Sequence, residues 1–216
     1  MTNRREFLHI GVAALSLPIA ARAAASSGML AGDKQSDEQR EERRGDEPLY
    51  KVLFDERFST CVRFAKEAGR RALATQAIRG DITKFWYDDL YHRWKRGAVA
   101  IAGMTAPGAI FCLETLARDA GMRMALRVDH RVTRGRTGRR VEHEFAGPAQ
   151  SVALAAELEP SGERWTEKAA EMVALFPAER GRTMTALYSG ESDGIRGEWT
   201  HLVTWVIAPA AEAGRG

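Results

Sequence analysis

Between Tyr50 and Val128 the apolar positions change period in a regular order. Tyr50 to Phe54 is a short apolar run with the character of a strand. Asp55 to Ala72 then spaces Phe58, Cys61, Val62, Ala65, Ala68 and Ala72 three or four residues apart, which is one face of a helix. Ala74 to Ile78 reads as a second strand. Asp81 to Trp94 places Ile82, Phe85, Trp86, Leu90 and Trp94 on one helical face, with Asp81 positioned to accept from the first free amides. Ala98 to Ala102 is small, apolar and closed by Gly103, as suits a strand covered on both faces. Gly108 to Ala120 is a third helix through Ile110, Leu113, Leu116 and Ala120, ended by Gly121. Met124 to Val128 resumes as a strand.

Strand and helix alternate three times before a fourth strand, and right-handed crossovers then place helices on both faces of a parallel sheet. The expected fold is α/β: a three-layer open sheet, mainly parallel, with its first strands in the order 2-1-3-4. The rest of the chain changes pattern. Val128 to Val132 and Val141 to Phe145 flank a loop containing Gly135 and Gly138, the signature of an antiparallel hairpin. Glu163 to Leu175 reads as a helix using Trp165, Ala169, Met172, Val173 and Phe176. Thr183 to Tyr188 and Trp199 to Ile207 read as C-terminal strands.

The chain before this domain falls into two parts. Residues 26–47 are polar and charged, with too few apolar groups to offset the entropy of ordering them, and are expected to be a disordered linker. A single domain is expected over 48–209, with a frayed tail over 210–216. Residues 1–25 run from a basic tip, Asn3-Arg4-Arg5-Glu6-Phe7-Leu8-His9, through uncharged Ile10 to Ala21, to small residues ending at Ala23-Ala24-Ala25. Paired Arg4 and Arg5 with Phe7 and Leu8 resemble a twin-arginine signal peptide, although Asn3 and His9 stand where Ser or Thr and Lys are usual. The resemblance implies export by the twin-arginine translocase, cleavage near Ala23 to Ala25 and a periplasmic, folded passenger. The apolar run is too short for an ordinary transmembrane helix, and Pro18 interrupts it.

Composition adds little to this address. Without Arg4, Arg5, Arg22 and Glu6, the tally of 32 basic and 29 acidic residues becomes 29 and 28, so the net charge falls from +3 to +1. That balance argues against a nucleic-acid footprint. Cys61 and Cys112 lie in apolar helical patterns without a CxxC or Cys/His cluster, and are expected to be free packing thiols.

Three places carry candidate chemistry. Ligands of open parallel sheets bind beyond the carboxyl ends of the strands. Asp55, Glu56 and Arg57 follow the first strand, Arg79 and Asp81 the second, and Thr105 and Gly108 the third. Together they would suit a small polar or anionic ligand. Without a binding partner the same residues read as helix caps and solvated charges. The second place is the hairpin. With a turn centred near Arg136, Asp129 would face His143 and His130 would face Glu142, the residue types of a metal or pH-sensitive site. Neighbours on a strand point to opposite faces, however, and cross-strand His–carboxylate pairs also serve as plain sheet contacts. Arg131, Arg134, Arg136, Arg139 and Arg140 form the densest basic patch in this region, without the aromatics of single-strand nucleic-acid binders. The third place is Phe85 to Trp94, whose Tyr87 and Tyr91 would mark a less polar flank outside the core.

No G-x-S-x-G elbow, HExxH, phosphate loop or haem-attachment motif occurs. The leading expectation is therefore an exported ligand-binding protein, or an accessory protein serving a larger exported partner. The alternatives are an exported enzyme using Asp55 or Glu56 as acid and base, and a small subunit of an exported redox complex. The sequence leaves the cofactor open.

Overall fold

The computed structural model describes residues 49–134, 139–176, 183–191 and 200–210, so the segments expected to be an export signal and a linker, residues 135–138 and nearly all of the expected tail lie outside the described residues. Strands β1 (Val52–Asp55), β2 (Thr75–Ile78) and β3 (Ile101–Thr105) alternate with helix α1 (Ser59–Arg70) and a composite helix. The latter consists of α2 (Thr83–Phe85), a π turn (Trp86–Leu90) and α3 (Tyr91–Arg96). Helix α4 (Pro107–Asp119) leads to β4 (Met122–Arg134), which pairs with β5 (Arg139–Pro148). Helices α5 (Val152–Ala156) and α6 (Trp165–Leu175) precede β6 (Thr183–Glu191) and β7 (His201–Pro209).

The fold is α/β around one open sheet in the order β2-β1-β3-β7-β4-β5-β6. β1 pairs in parallel with β2 and β3, as the alternating pattern requires. β7 then inserts antiparallel between β3 and β4, where the sequence reading had placed β4 directly beside β3. The C-terminal strand has apolar residues on both faces; Leu202 to Ile207 are all buried, and Thr204 is the one polar residue among them. Such a strand is suited to the sheet centre rather than its margin.

Two apolar layers cover the sheet. On one face α1 and α6 pack Phe64, Ala68, Trp165, Ala169 and Met172 over Val52, Ala102, Val128 and Phe145. On the other, the composite helix and α4 pack Phe85, Leu90, Ile110 and Leu113 over Leu53, Ile101, Val203 and Trp205. Burying each such large side chain stabilises by ~1.5–3 kcal/mol. The two faces also separate the cysteines. Cys61 on α1 is buried and free; Cys112 on α4 is free but exposed, so only the first is a packing thiol.

Two sequence boundaries need correction. β3 begins three residues later than the apolar run suggested and ends at Thr105, so Gly103, Met104 and Thr105 are strand rather than loop. Gly103 is there because a Cβ would lie 2.4 Å from the Leu53 carbonyl oxygen and 2.7 Å from the Trp205 ring. Met122 to Arg134 is one strand, with a register shift between Met124 and Leu126. A shift of this kind exchanges the faces of everything after it. Met122 therefore joins one apolar layer while Leu126 and Val128 join the other.

Candidate functional site

At the carboxyl side of the sheet, Asp55 and Thr105 end neighbouring strands, one step past the Phe54–Met104 pair. Both are fully buried. Arg57 folds back on Asp55, donating from Nε at 2.8 Å and from Nη2 at 2.6 Å to its two oxygens. This bidentate contact is the strongest geometry for such a pair. Thr105 Oγ1 accepts from Trp205 Nε1 at 3.1 Å. The remaining candidates have their own partners: Glu56 pairs with Arg79 at 3.4 Å, and Asp81 accepts from the Thr83 amide and hydroxyl at 2.8 and 2.6 Å. Gly80 joins these groups. Its φ of +81° favours glycine, and a Cβ there would lie 2.2 Å from Arg57 Nη2. The sequence therefore located the right strand ends, but Asp55 is sealed by Arg57 and Thr105 is engaged inside the core. Gly108 lies in the first turn of α4 with open space around it.

What opens beside Gly80 is a groove of about 420 Å³ between the composite helix and α4. Its apolar walls are Ile82, Trp86, Tyr87, Phe111 and Leu116, with Asp81, Thr83 and Thr115 among its polar lining. Tyr87 is 65% and Phe111 71% exposed, large rings that the core does not take up. The π turn shapes this wall by interrupting the regular helix the sequence suggested over Asp81 to Trp94. Such turns are frequent at functional sites. The expected core residues Phe85, Leu90 and Trp94 are buried, while Tyr87 faces outward as the less polar flank. Phe111 was missed because it sits one position off the buried stripe of α4. A second groove, of about 570 Å³, lies between β2 and the composite helix. Its carboxylates Asp88 and Asp89 are already paired with Lys84 and Lys51.

The hairpin candidates are divided between the faces of the sheet. The pairing is one residue further on than a turn centred on Arg136 requires: His130 faces His143, and Asp129 faces Glu144. A one-residue slip in register changes every partner across the hairpin. His130 and His143 lie on the α6 face, fully or almost fully buried, with Nδ1 to Nδ1 at 2.7 Å. His130 Nε2 is 2.8 Å from Thr204 Oγ1, and Trp165 packs tilted against both rings at 4.4 and 5.2 Å between centroids. Burial lowers the pKa of both imidazoles, His143 to about 4.

Asp129 turns to the opposite face. It accepts from Arg127 at 2.6 and 3.0 Å and pairs with His201 Nε2 at 2.7 Å, a carboxylate–imidazole contact across to β7. Burial pushes the Asp129 carboxyl up, but hydrogen bonds from Arg127 and His201 outweigh it and hold the pKa below the usual range. Glu142 and Glu144 share this outer face, and Arg131 bridges to Glu144 at 2.5 Å. Among the described residues no group of three or more His, Cys, Asp or Glu side chains is placed to hold a metal, and the four hairpin candidates are split between the two faces of the sheet.

No family model, curated protein or solved structure matches this chain. Among the described residues no helix is long and apolar enough to cross a membrane.

Proposed function

We propose that this is an exported periplasmic binding protein that takes a small ligand with an apolar, aromatic body and an anionic group in the groove between the composite helix and α4. The observation that carries this reading is the groove itself. It falls in the size range of small-molecule sites, at about 420 Å³, and is lined mainly by apolar and aromatic side chains. Tyr87 and Phe111 offer ring faces to a planar ligand. Arg57 is not itself a wall residue, but its guanidinium lies against Gly80, which is, and Asp55 engages only Nε and Nη2; we assign Nη1 as the donor to the ligand's anionic group. Export rests on the resemblance of Arg4, Arg5, Phe7 and Leu8 to a twin-arginine signal. Replacing both arginines with lysine should leave folded protein in the cytoplasm. Normal periplasmic delivery of that variant would contradict the twin-arginine route.

The enzyme reading has less behind it, because both Asp55 oxygens already accept from Arg57. The accessory reading draws on the same exposed rings, Tyr87 and Phe111, which a partner protein would cover instead of a ligand.

Thermal denaturation against a panel of small aromatic acids, indole-3-acetate among them, tests the reading. A ligand that binds only the folded state adds ~2.7 kcal/mol of stability at a hundred times its dissociation constant. At least one acid should raise the melting temperature. Phe111→Ala should abolish that rise and Arg57→Ala should weaken it, while Arg131→Ala on the distant hairpin leaves it intact. No shift with any acid, or an equal shift in Phe111→Ala, removes the groove as a site.

A further inference from the structure

We infer that the buried His130–His143 pair is an acid-operated latch: neutral, it holds helix α6 against the β4–β5–β7 part of the sheet through Trp165, and doubly protonated it must release that helix. This inference is independent of the groove and of its ligand.

The atoms set the logic. Two Nδ1 atoms 2.7 Å apart can share only one hydrogen, so one ring donates and the other accepts. In one neutral arrangement the Thr204 hydroxyl donates to His130 Nε2, and His130 Nδ1–H donates to His143 Nδ1. A first added proton can be held at His130 Nε2, provided the Thr204 hydroxyl turns from donor to acceptor. The face of Trp165 can stabilise one imidazolium. A second proton has no such place. It would put hydrogens on both facing Nδ1 atoms and two positive charges side by side, so the contact must open.

The surroundings offer no compensating charge. On the strands, Asp129 and Arg131 of β4 and Glu142 and Glu144 of β5 project to the opposite face. His201 of β7 also lies on that face and, when charged, further disfavours protonation of His130. Tyr188 of β6 stands opposite His143 and reaches Val152. From α6 come Trp165 and Thr166, while Lys168 and Glu171 are engaged in surface pairs with Glu157 and Arg71. Glu163 and Arg164, just before α6, are exposed. Helix α1 contributes Cys61 and Phe64 to the same apolar layer, and its Glu67 pairs with Arg71. Opening would uncover the apolar stripe of α6, which carries Trp165, Ala169, Ala170, Met172 and Val173.

Acid titration of the full chain, read by tryptophan fluorescence and binding of an apolar dye with far-ultraviolet circular dichroism in parallel, tests this. Dye binding should rise below about pH 5, with uptake of two protons and most secondary structure retained. His130→Asn and His143→Asn keep a hydrogen-bonding amide without an ionisable ring, and each should move the midpoint down by about one pH unit or more. His201→Asn removes a like charge and should move it slightly up, opposite to the Asn variants of the pair. An unmoved midpoint in both Asn variants, or a transition coupled to one proton, overturns the latch. Should the variants fail to fold, ¹⁵N spectra of histidine-labelled wild type decide alone. Both buried rings should be neutral above about pH 6, and the second of them to become charged should do so with the dye transition. A buried ring already charged above that pH, or both rings charged with no structural change, overturns it.

Discussion

Gly103→Ala should cost the protein more than about 3 kcal/mol, a larger loss than most core overpacking causes. The added methyl would meet the Leu53 carbonyl oxygen at 2.4 Å and the Trp205 ring at 2.7 Å. Neither neighbour can move cheaply. The carbonyl belongs to the adjoining parallel strand, and Trp205 is fully buried with its indole nitrogen bound to Thr105. At ~2–4 °C per kcal/mol for a chain of this size, the melting temperature should fall by roughly 10 °C. Gly108→Ala is the matched comparison, since nothing lies within 4 Å of the new methyl in the first turn of α4. It should stabilise by ~0.4–1 kcal/mol. Equal melting temperatures for the two variants would contradict the packing of β1, β3 and β7.

The second large effect is on pH dependence. The folded-state pKa of His143 is about 4, below the ordinary 6.5, because burial disfavours the charged ring. Between those values the unfolded chain binds more protons than the folded one, so stability rises with pH. Conversely, stability falls as pH drops through 6.5 and continues to fall until the folded ring itself protonates near 4. A difference of this size is worth about 3 kcal/mol from His143 alone. Asp129 acts in the same direction at lower pH, since its carboxyl is held below its ordinary value and its contribution is lost as pH falls through the range. Urea unfolding at pH 7, 5.5 and 4.5 should show a progressive decline. Constant stability across those three conditions would contradict burial of neutral imidazoles.

The alternation of periods from Tyr50 to Val128 is a local property, and local pattern carried the three strand–helix units and their parallel order. The position of β7 was not local. Nothing near Leu202 to Ile207 states that this strand enters between β3 and β4; only its apolar character on both faces hints at a central place. The boundary of β3 is hard to read because Gly103 resembles a terminator, whereas it is a glycine required by the close approach of Trp205. The hairpin partners were misassigned by one residue, and one residue suffices to replace a His–carboxylate pair with a His–His pair. At the carboxyl edge, Asp55, Arg57 and Asp81 were legible because such residues follow parallel strands in the sequence. The groove was legible only in part. Tyr87 stood out as a flank, but Phe111 and the π turn become visible only when the composite helix and α4 face each other.

Backbone amide spectra of the folded protein titrated with indole-3-acetate would test the binding account most directly. Shifts concentrated at Gly80, Thr83, Tyr87, Ala109, Phe111 and Cys112, with the β4–β5 hairpin unmoved, are the expected result. Shifts centred on the hairpin, or none at concentrations that saturate ordinary small-molecule sites, would contradict it.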